Sequence, residues 1–221
     1  MRNRLLNTVV PVAVVAAFAC ASAQQAEPGK SSATATSPAR GTASDTAKPL
    51  YTAADIEFMN GMIAHHAQAL LMTSWAESHG ASPSIRTLTG RITNAQKDEI
   101  AGMQKWLRDR HQPVPEPNPH GMTMTMGGMQ HQMLMPGMLT DEQLKQLDAA
   151  RGRDFDRLFL VFMIQHHQGA VAMVNNLFNT NGAAQDLTVY KVASDISADQ
   201  TTEIERMQKM LAAMVFETPT T

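Results

Sequence analysis

Two stretches of this chain repeat each other, which restricts it to folds where two like units bury one another's apolar faces. Asp55–Met72 aligns without gaps with Asp156–Met173 at an offset of 101, with 8 of 18 positions identical. The identities are Asp55/Asp156, Phe58/Phe159, Met62/Met163, Ile63/Ile164, His65/His166, His66/His167, Ala69/Ala170 and Met72/Met173. A second block, Gln96–Leu107 against Gln200–Leu211, aligns at an offset of 104 with 7 of 12 identities, among them Glu99/Glu203, Ile100/Ile204, Met103/Met207 and Gln104/Gln208. The change of offset lengthens the connection between the blocks by three residues in the second copy. Each half is therefore a two-block unit, duplicated.

Apolar residues recur at three- and four-residue steps in both blocks, and neither contains proline, so both read as helix. Thr52 precedes Ala53-Ala54-Asp55 as an N-cap, and Thr140 with Gln143 three positions on has the form of a capping box. Gly80 and Pro83 punctuate the first internal turn, and Asn179–Gly182 the second. The expected helices lie near 52–79, 83–111, 140–179 and 184–216. Short turns within the hairpins and one long crossover between them predict an all-α four-helix bundle of two duplicated hairpins. An elongated, heptad-paired dimer is the less natural alternative at this length.

At about 100° per residue, Asp55, Met59, Met62, His66 and Ala69 fall on one side of the first helix, with Phe58, His65 and Met72 beside them. Both imidazoles can lean inward, and His166 and His167 repeat this beside Asp156 and Met163. Glu99 sits in an apolar stripe with Ile92, Met103, Trp106 and Leu107, and Glu203 in one with Ile196, Met207, Met210 and Met214. A carboxylate in such a stripe is costly to bury unless a metal or a protonated histidine pairs with it. Histidine pairs on helices are commonly hydrogen-bonded structural features, and methionine stripes are commonly core filler. The unmatched positions have nonetheless diverged freely, while both histidines and the Glu-x-x-x-Met unit stand in both copies. That favours ligands.

Between the halves, His120–Met138 reads HGMTMTMGGMQHQMLMPGM, with seven methionines and two histidines in nineteen residues. Glycine and proline exclude a regular helix, so these thioethers do not simply pack a helical face. Met122, Met124, Met126, Met129, Met133 and Met135, with His131, form a candidate soft site. Thioether sulfur favours Cu(I), with Ag(I) as its surrogate, over Zn, Mg or Ca. A sticky linker of low complexity is the alternative.

Residues 1–23 have the layout of a secretory signal peptide, with Arg2 and Arg4, an apolar run from Leu5 to Ala19 and Ala21-Ser22-Ala23. The only cysteine, Cys20, lies inside it, leaving the processed chain without a disulfide or a thiolate site. Lipidation through Cys20 is a minority reading, since alanine stands where leucine is usual three residues earlier. Residues 24–49, rich in Ala, Ser, Thr, Pro and Gly, read as a disordered tether. The bundle then spans 50–217, as repeat 1 (50–111), the Met-rich loop (112–139) and repeat 2 (140–217). With 18 Lys and Arg against 20 Asp and Glu, nothing suggests nucleic acid, and no membrane span is expected after processing.

The pattern Asp55-x-x-Phe58-x-x-x-Met62-Ile63-x-His65-His66, followed by Gln96-x-x-Glu99-Ile100-x-x-Met103, resembles the domain-of-unknown-function 305 family in both copies. The resemblance implies a ferritin-like four-helix bundle, with periplasmic copper-binding relatives connected with copper tolerance. By the matching motif positions, it implies Met62, His65, His66, Glu99 and Met103, with Met163, His166, His167, Glu203 and Met207, as metal ligands. The leading expectation is a secreted or periplasmic protein that sequesters copper or hands it to another copper-handling envelope protein, the Met-rich loop holding Cu(I) and the His-rich bundle Cu(I) or Cu(II). Two rivals are a dimetal oxidase and an envelope interaction module with structural histidines. The oxidase is disfavoured because Gly102 and Met103 stand where a Glu-x-x-His unit would place its histidine, so no catalytic residues are expected.

Overall fold

The computed structural model describes residues 50–216, with backbone alone for 124–126, 130, 215 and 216. The expected signal peptide and tether therefore lie outside the described residues. The protein is mostly helical, with α1 (Ala53–Ser74), α2 (Pro83–Asp109), α3 (Asp141–Ala149), α4 (Gly152–Asn179) and α5 (Leu187–Phe216). Between α2 and α3 runs a two-stranded antiparallel ribbon, β1 (Met122–Met126) and β2 (Met129–Met133). No described helix is long and apolar enough to cross a membrane.

Local chemistry sets most of the helix ends. Thr52 and Asp55 close a reciprocal capping box on α1, and Thr140 and Gln143 do the same on α3. Ser82 caps α2, whose first residue is Pro83, a position that needs no amide donor. The single helix expected over 140–179 is two. Ala150 and Arg151 are extended, and Gly152 takes φ +54°, a conformation that breaks a right-handed helix and suits only glycine well. Likewise α1 stops at Ser74 rather than near 79, and a turn leads through Gly80 at φ +67°.

α1 packs along α2, α4 along α5, and α1 crosses α4, while α2 and α5 meet over a shorter stretch. The apolar interior falls into two clusters. One joins Phe58, Met62, Met103, Trp106, Met173 and Val189, and the other joins Met72, Ile85, Phe155, Phe159, Met163 and Met207. The four mid-helix histidines, all buried, stand between these two apolar ends. α1 is enclosed nearly all round from Gly61 to Ala69, so a one-sided stripe understates its burial. The reason is the segment after the ribbon, which lies on the face that α2 and α4 leave open.

Candidate metal centre

His65 and His66 on α1 and His166 and His167 on α4 are fully buried. The His65 and His166 rings touch where the helices cross, with centroids 3.8 Å apart. The other two histidines reach out to α2 and α5. His66 Nε2 lies 2.6 Å from Glu99 Oε2 on α2, and His167 Nε2 lies 2.7 Å from Glu203 Oε2 on α5. The glutamate side chains are 20% and 21% exposed, so each carboxylate keeps one edge toward water while gripping a buried ring.

Burial, and then the neighbouring His66 ring, holds the pKa of His65 down at about 3. Burial and then His65 push His166 well below its ordinary value. These rings are neutral, and a neutral imidazole carries one N–H and one lone pair. The His66 and His167 N–H groups go to the carboxylates, and His65 Nε2–H donates to the Pro136 carbonyl at 3.0 Å. The Nδ1 atoms of His65, His66 and His167, and both ring nitrogens of His166, are buried without a partner. Each such orphaned polar atom costs about 1–3 kcal/mol. Carboxylate-anchored imidazoles with free second nitrogens are the donor arrangement that metal sites use.

The other expected ligands separate into groups. Met62 and Met103 are fully buried in one apolar cluster, and Met163 and Met207 in the other, flanking the histidines from opposite ends. Among the described residues no three His, Cys, Asp or Glu side chains gather as a ready cage. The ribbon register pairs Met122 with Met133, Met124 with His131 and Met126 with Met129, so the soft-donor positions of its strands are one another's cross-strand partners. Directly opposed positions in such a ribbon lie roughly 5 Å apart. His131, Met129 and Met133 are exposed, and Met122 and Met135 are half-buried. The ribbon group is thus outside the helical core.

The segment Met135–Leu139 fastens the ribbon to the histidines. A Cβ on Gly169 would stand only 1.9 Å from the Pro136 carbonyl oxygen, so α4 needs glycine where this strap crosses, while one on Gly61 would meet only the movable Met135 Sδ at 3.0 Å. Gln68 clamps it, donating to the Pro119 and Leu139 carbonyls at 2.9 and 3.0 Å and accepting from Leu139 N at 2.6 Å. The strap therefore covers His65 with a backbone carbonyl and leaves His166 without one.

Asp55 and Asp156, the aspartates repeated in both copies, serve the scaffold. Asp55 accepts from Thr52 N at 2.7 Å and from Ala184 N in the distant α4–α5 turn at 2.7 Å. Asp156 accepts from Ser82 N in the α1–α2 turn, both oxygens at 3.2 Å.

Sequence reading missed the ribbon, Gln68, Gly169 and Asp199. The ribbon had a signal, the period-two alternation Met-Thr-Met-Thr-Met and Met-Gln-His-Gln-Met around Gly127-Gly128. Gln68 and Gly169 occupy matching repeat positions with different residues, so an identity search passes over them. Asp199 has no counterpart among the identical positions; helical spacing sets it one turn before Glu203 on α5, and only the fold brings it beside Glu99 as well. Burial, and then those two carboxylates, push its carboxyl above the ordinary value.

The architecture is a helical core of paired carboxylate-anchored histidines with an appended methionine ribbon. The chain belongs to the family described as Domain of unknown function (DUF305), which it matches over residues 55–211. It is similar in structure to a DUF305 fragment from Deinococcus radiodurans, with a TM-score of 0.60 and 27% identity over 74% of this chain and 98% of that one. It is also similar to CopM in its Cu(I)-bound form, with a TM-score of 0.54 and 28% identity over 72% of this chain and 96% of that one. CopM structures in Cu(II)-bound and Ag-bound forms match with TM-scores of 0.55 and 0.52. An uncharacterised protein of Acanthamoeba polyphaga mimivirus is 36% identical over 56 residues, which is 25% of this chain and 37% of that protein's length.

Proposed function

We propose that this chain is an exported copper-binding protein that sequesters Cu(I) or transfers it within the cell envelope, binding Ag(I) by the same chemistry and passing its cargo to another copper-handling protein. Its helices α1, α2, α4 and α5 form a ferritin-like bundle of two duplicated hairpins, and the Met-rich segment is the crossover between them. The bundle ligands are His65, His66, Met62, Glu99 and Met103 with His166, His167, Met163, Glu203 and Met207. The crossover ligands are Met122, Met124, Met126, Met129, His131, Met133 and Met135.

The observation that carries this reading is the set of buried imidazole nitrogens without partners beside fully buried methionines. Neutral imidazole and thioether donors suit a soft monovalent ion, because they hold it without gathering anionic charge in the core. The His66–Glu99 and His167–Glu203 pairs fix which nitrogen of each ring carries the proton and turn the other toward the interior. The cross-strand pairing of methionine and histidine positions gives a second, solvent-facing group of the same softness. The CopM structures with Cu(I), Cu(II) and Ag support the same cargo.

Anaerobic titration of the processed chain with Cu(I), Ag(I), Cu(II), Fe(II) and Zn(II) tests the proposal, with tight, stoichiometric Cu(I) and Ag(I) binding expected. Preferred Fe(II) binding with oxygen consumption would replace it by an oxidase. Retention of none of these metals would leave the histidines a structural role. Replacing the ribbon methionines by leucine should lower Cu(I) capacity and leave helicity unchanged; unaltered capacity removes the ribbon from the mechanism.

A further inference from the structure

On the outer side of the two glutamates, between α2 and α5, lies a cavity of about 170 Å³. The repeat builds it twice over, since Gln96 and Glu99 face it from α2 while Gln200 and Glu203 face it from α5, joined by Asp199 and Arg91. Gln96 and Gln200 are 2% and 3% exposed, and neither the amide oxygen nor the amide nitrogen of either has a hydrogen-bond partner. Long amide side chains are seldom left this way in a core, because each unmet group costs about 1–3 kcal/mol. An apolar residue would pack better at both positions unless a ligand uses the oxygens.

Charge gives the ligand its sign. Three carboxylates, Glu99, Glu203 and Asp199, line the space against one guanidinium, that of Arg91. Glu99 and Glu203 each direct one oxygen to a histidine, leaving the other free of that bond. Asp195, in the adjoining recess with Glu99 and Asp199, is already paired with Lys191 at 2.5 Å and adds little. Water alone could satisfy the amides, but it would leave the carboxylates repelling one another. A cation relieves both.

We propose that this cavity is an oxygen-donor site for a hydrated divalent cation, formed by Asp199, the outer oxygens of Glu99 and Glu203, and the amide oxygens of Gln96 and Gln200. All its donors are hard oxygens, the set that suits Mg(II), Mn(II) or Ca(II), and none is a thioether. Since no three acids among the described residues close on a point, the ion keeps part of its water shell, for which the cavity has room. The site adjoins the proposed soft-metal ligands and shares the two glutamates with them, but its other donors, Asp199, Gln96 and Gln200, take no part in that reading.

The chain from Gln24 onward, freed of metal by dialysis against a chelator, is titrated with Mn(II), and the free ion is followed by its paramagnetic resonance signal. One bound Mn(II), displaced by Mg(II) or Ca(II), is expected. Asp199→Asn keeps the side-chain shape and should weaken Mn(II) binding roughly tenfold or more by removing one charged ligand. The double variant Gln96→Leu with Gln200→Leu should weaken it as well while raising thermal stability, since orphaned amides are replaced by apolar groups. Ag(I) capacity, measured on the same samples, should not change in any of them. Failure of the parent to bind Mn(II), or equal binding by Asp199→Asn, overturns the site. A parent that binds Mn(II) but no Ag(I) would instead overturn the soft-metal function and leave this site standing.

Discussion

The two halves of the molecule carry the same histidine pair on a long helix, yet they surround it differently. Around α1 the strap closes the last open face, and His65 gives its N–H to the Pro136 carbonyl. Around α4 the matching His166 has neither ring nitrogen satisfied, and Val161 and Gln168 reach solvent. The flanking pairs, by contrast, are nearly identical, 2.6 Å for His66–Glu99 and 2.7 Å for His167–Glu203. Symmetry is kept where a carboxylate orients a ring, and broken where the crossover must be seated. His166, as fully buried as His65, therefore lacks the carbonyl that the strap gives its counterpart.

The largest test of this difference is acid. The pKa of His65 is lowered from 6.5 to about 3, so the unfolded chain binds a proton that the folded one refuses. Stability attached to this ring is fully present above pH 6.5 and falls as the pH drops from there toward 3. At about 1.4 kcal/mol per pH unit, the loss reaches several kcal/mol. Denaturant melts at stepped pH should show it, and His65→Gln should flatten the slope; an unchanged slope would mean that the ring is not the buried neutral group described.

Next comes the seat of the strap. Gly169→Ala puts a methyl group against the Pro136 carbonyl and should cost about 2–4 kcal/mol in a melt, with faster proteolysis within the crossover. Gly102→Ala, where nothing lies within reach of a Cβ, should be neutral or mildly stabilising. Equal effects would dissolve the contrast.

The scaffold acids should differ as well. Asp55, fully buried and bonded to Thr52 and Ala184, should cost about 2–3 kcal/mol on replacement by Asn, and Asp156, with its longer bonds to Ser82, about 1 kcal/mol. The flanking pairs should not differ. Glu99→Gln and Glu203→Gln should each cost about 1–2 kcal/mol, and a gap between them would show that the symmetry of these distances is not energetic. Smallest of all, Met129→Leu on the exposed ribbon tip should change stability by less than about 0.5 kcal/mol.

Much of this was readable in the chain because a repeat reports twice on what a position must satisfy. The helices, the inward histidines and the glutamates in apolar stripes all follow from periodicity and from the cost of burying charge. The caps at Thr52 and Thr140 were readable for the same local reason. The break at Gly152 was not, because a glycine within a helical pattern is often tolerated, and only the closure of the turn onto the His79 carbonyl requires its positive φ. The ribbon escaped because methionine has no preference for strands, which hid an alternation plain in the letters. Gln68 and Gly169 escaped because they act by contact with a segment far away in sequence, which no local pattern encodes.

The carboxylates of Asp55 and Asp156 have one more consequence. Each secures a bend belonging to the other half, Asp55 the bend at Ala184 and Asp156 the bend at Ser82. Each corner thus takes one of its fastenings from the opposite half. Severed within the crossover, the two pieces would each be missing a latch that only the opposite piece carries, so neither should persist alone, and mixing them should restore both closures together.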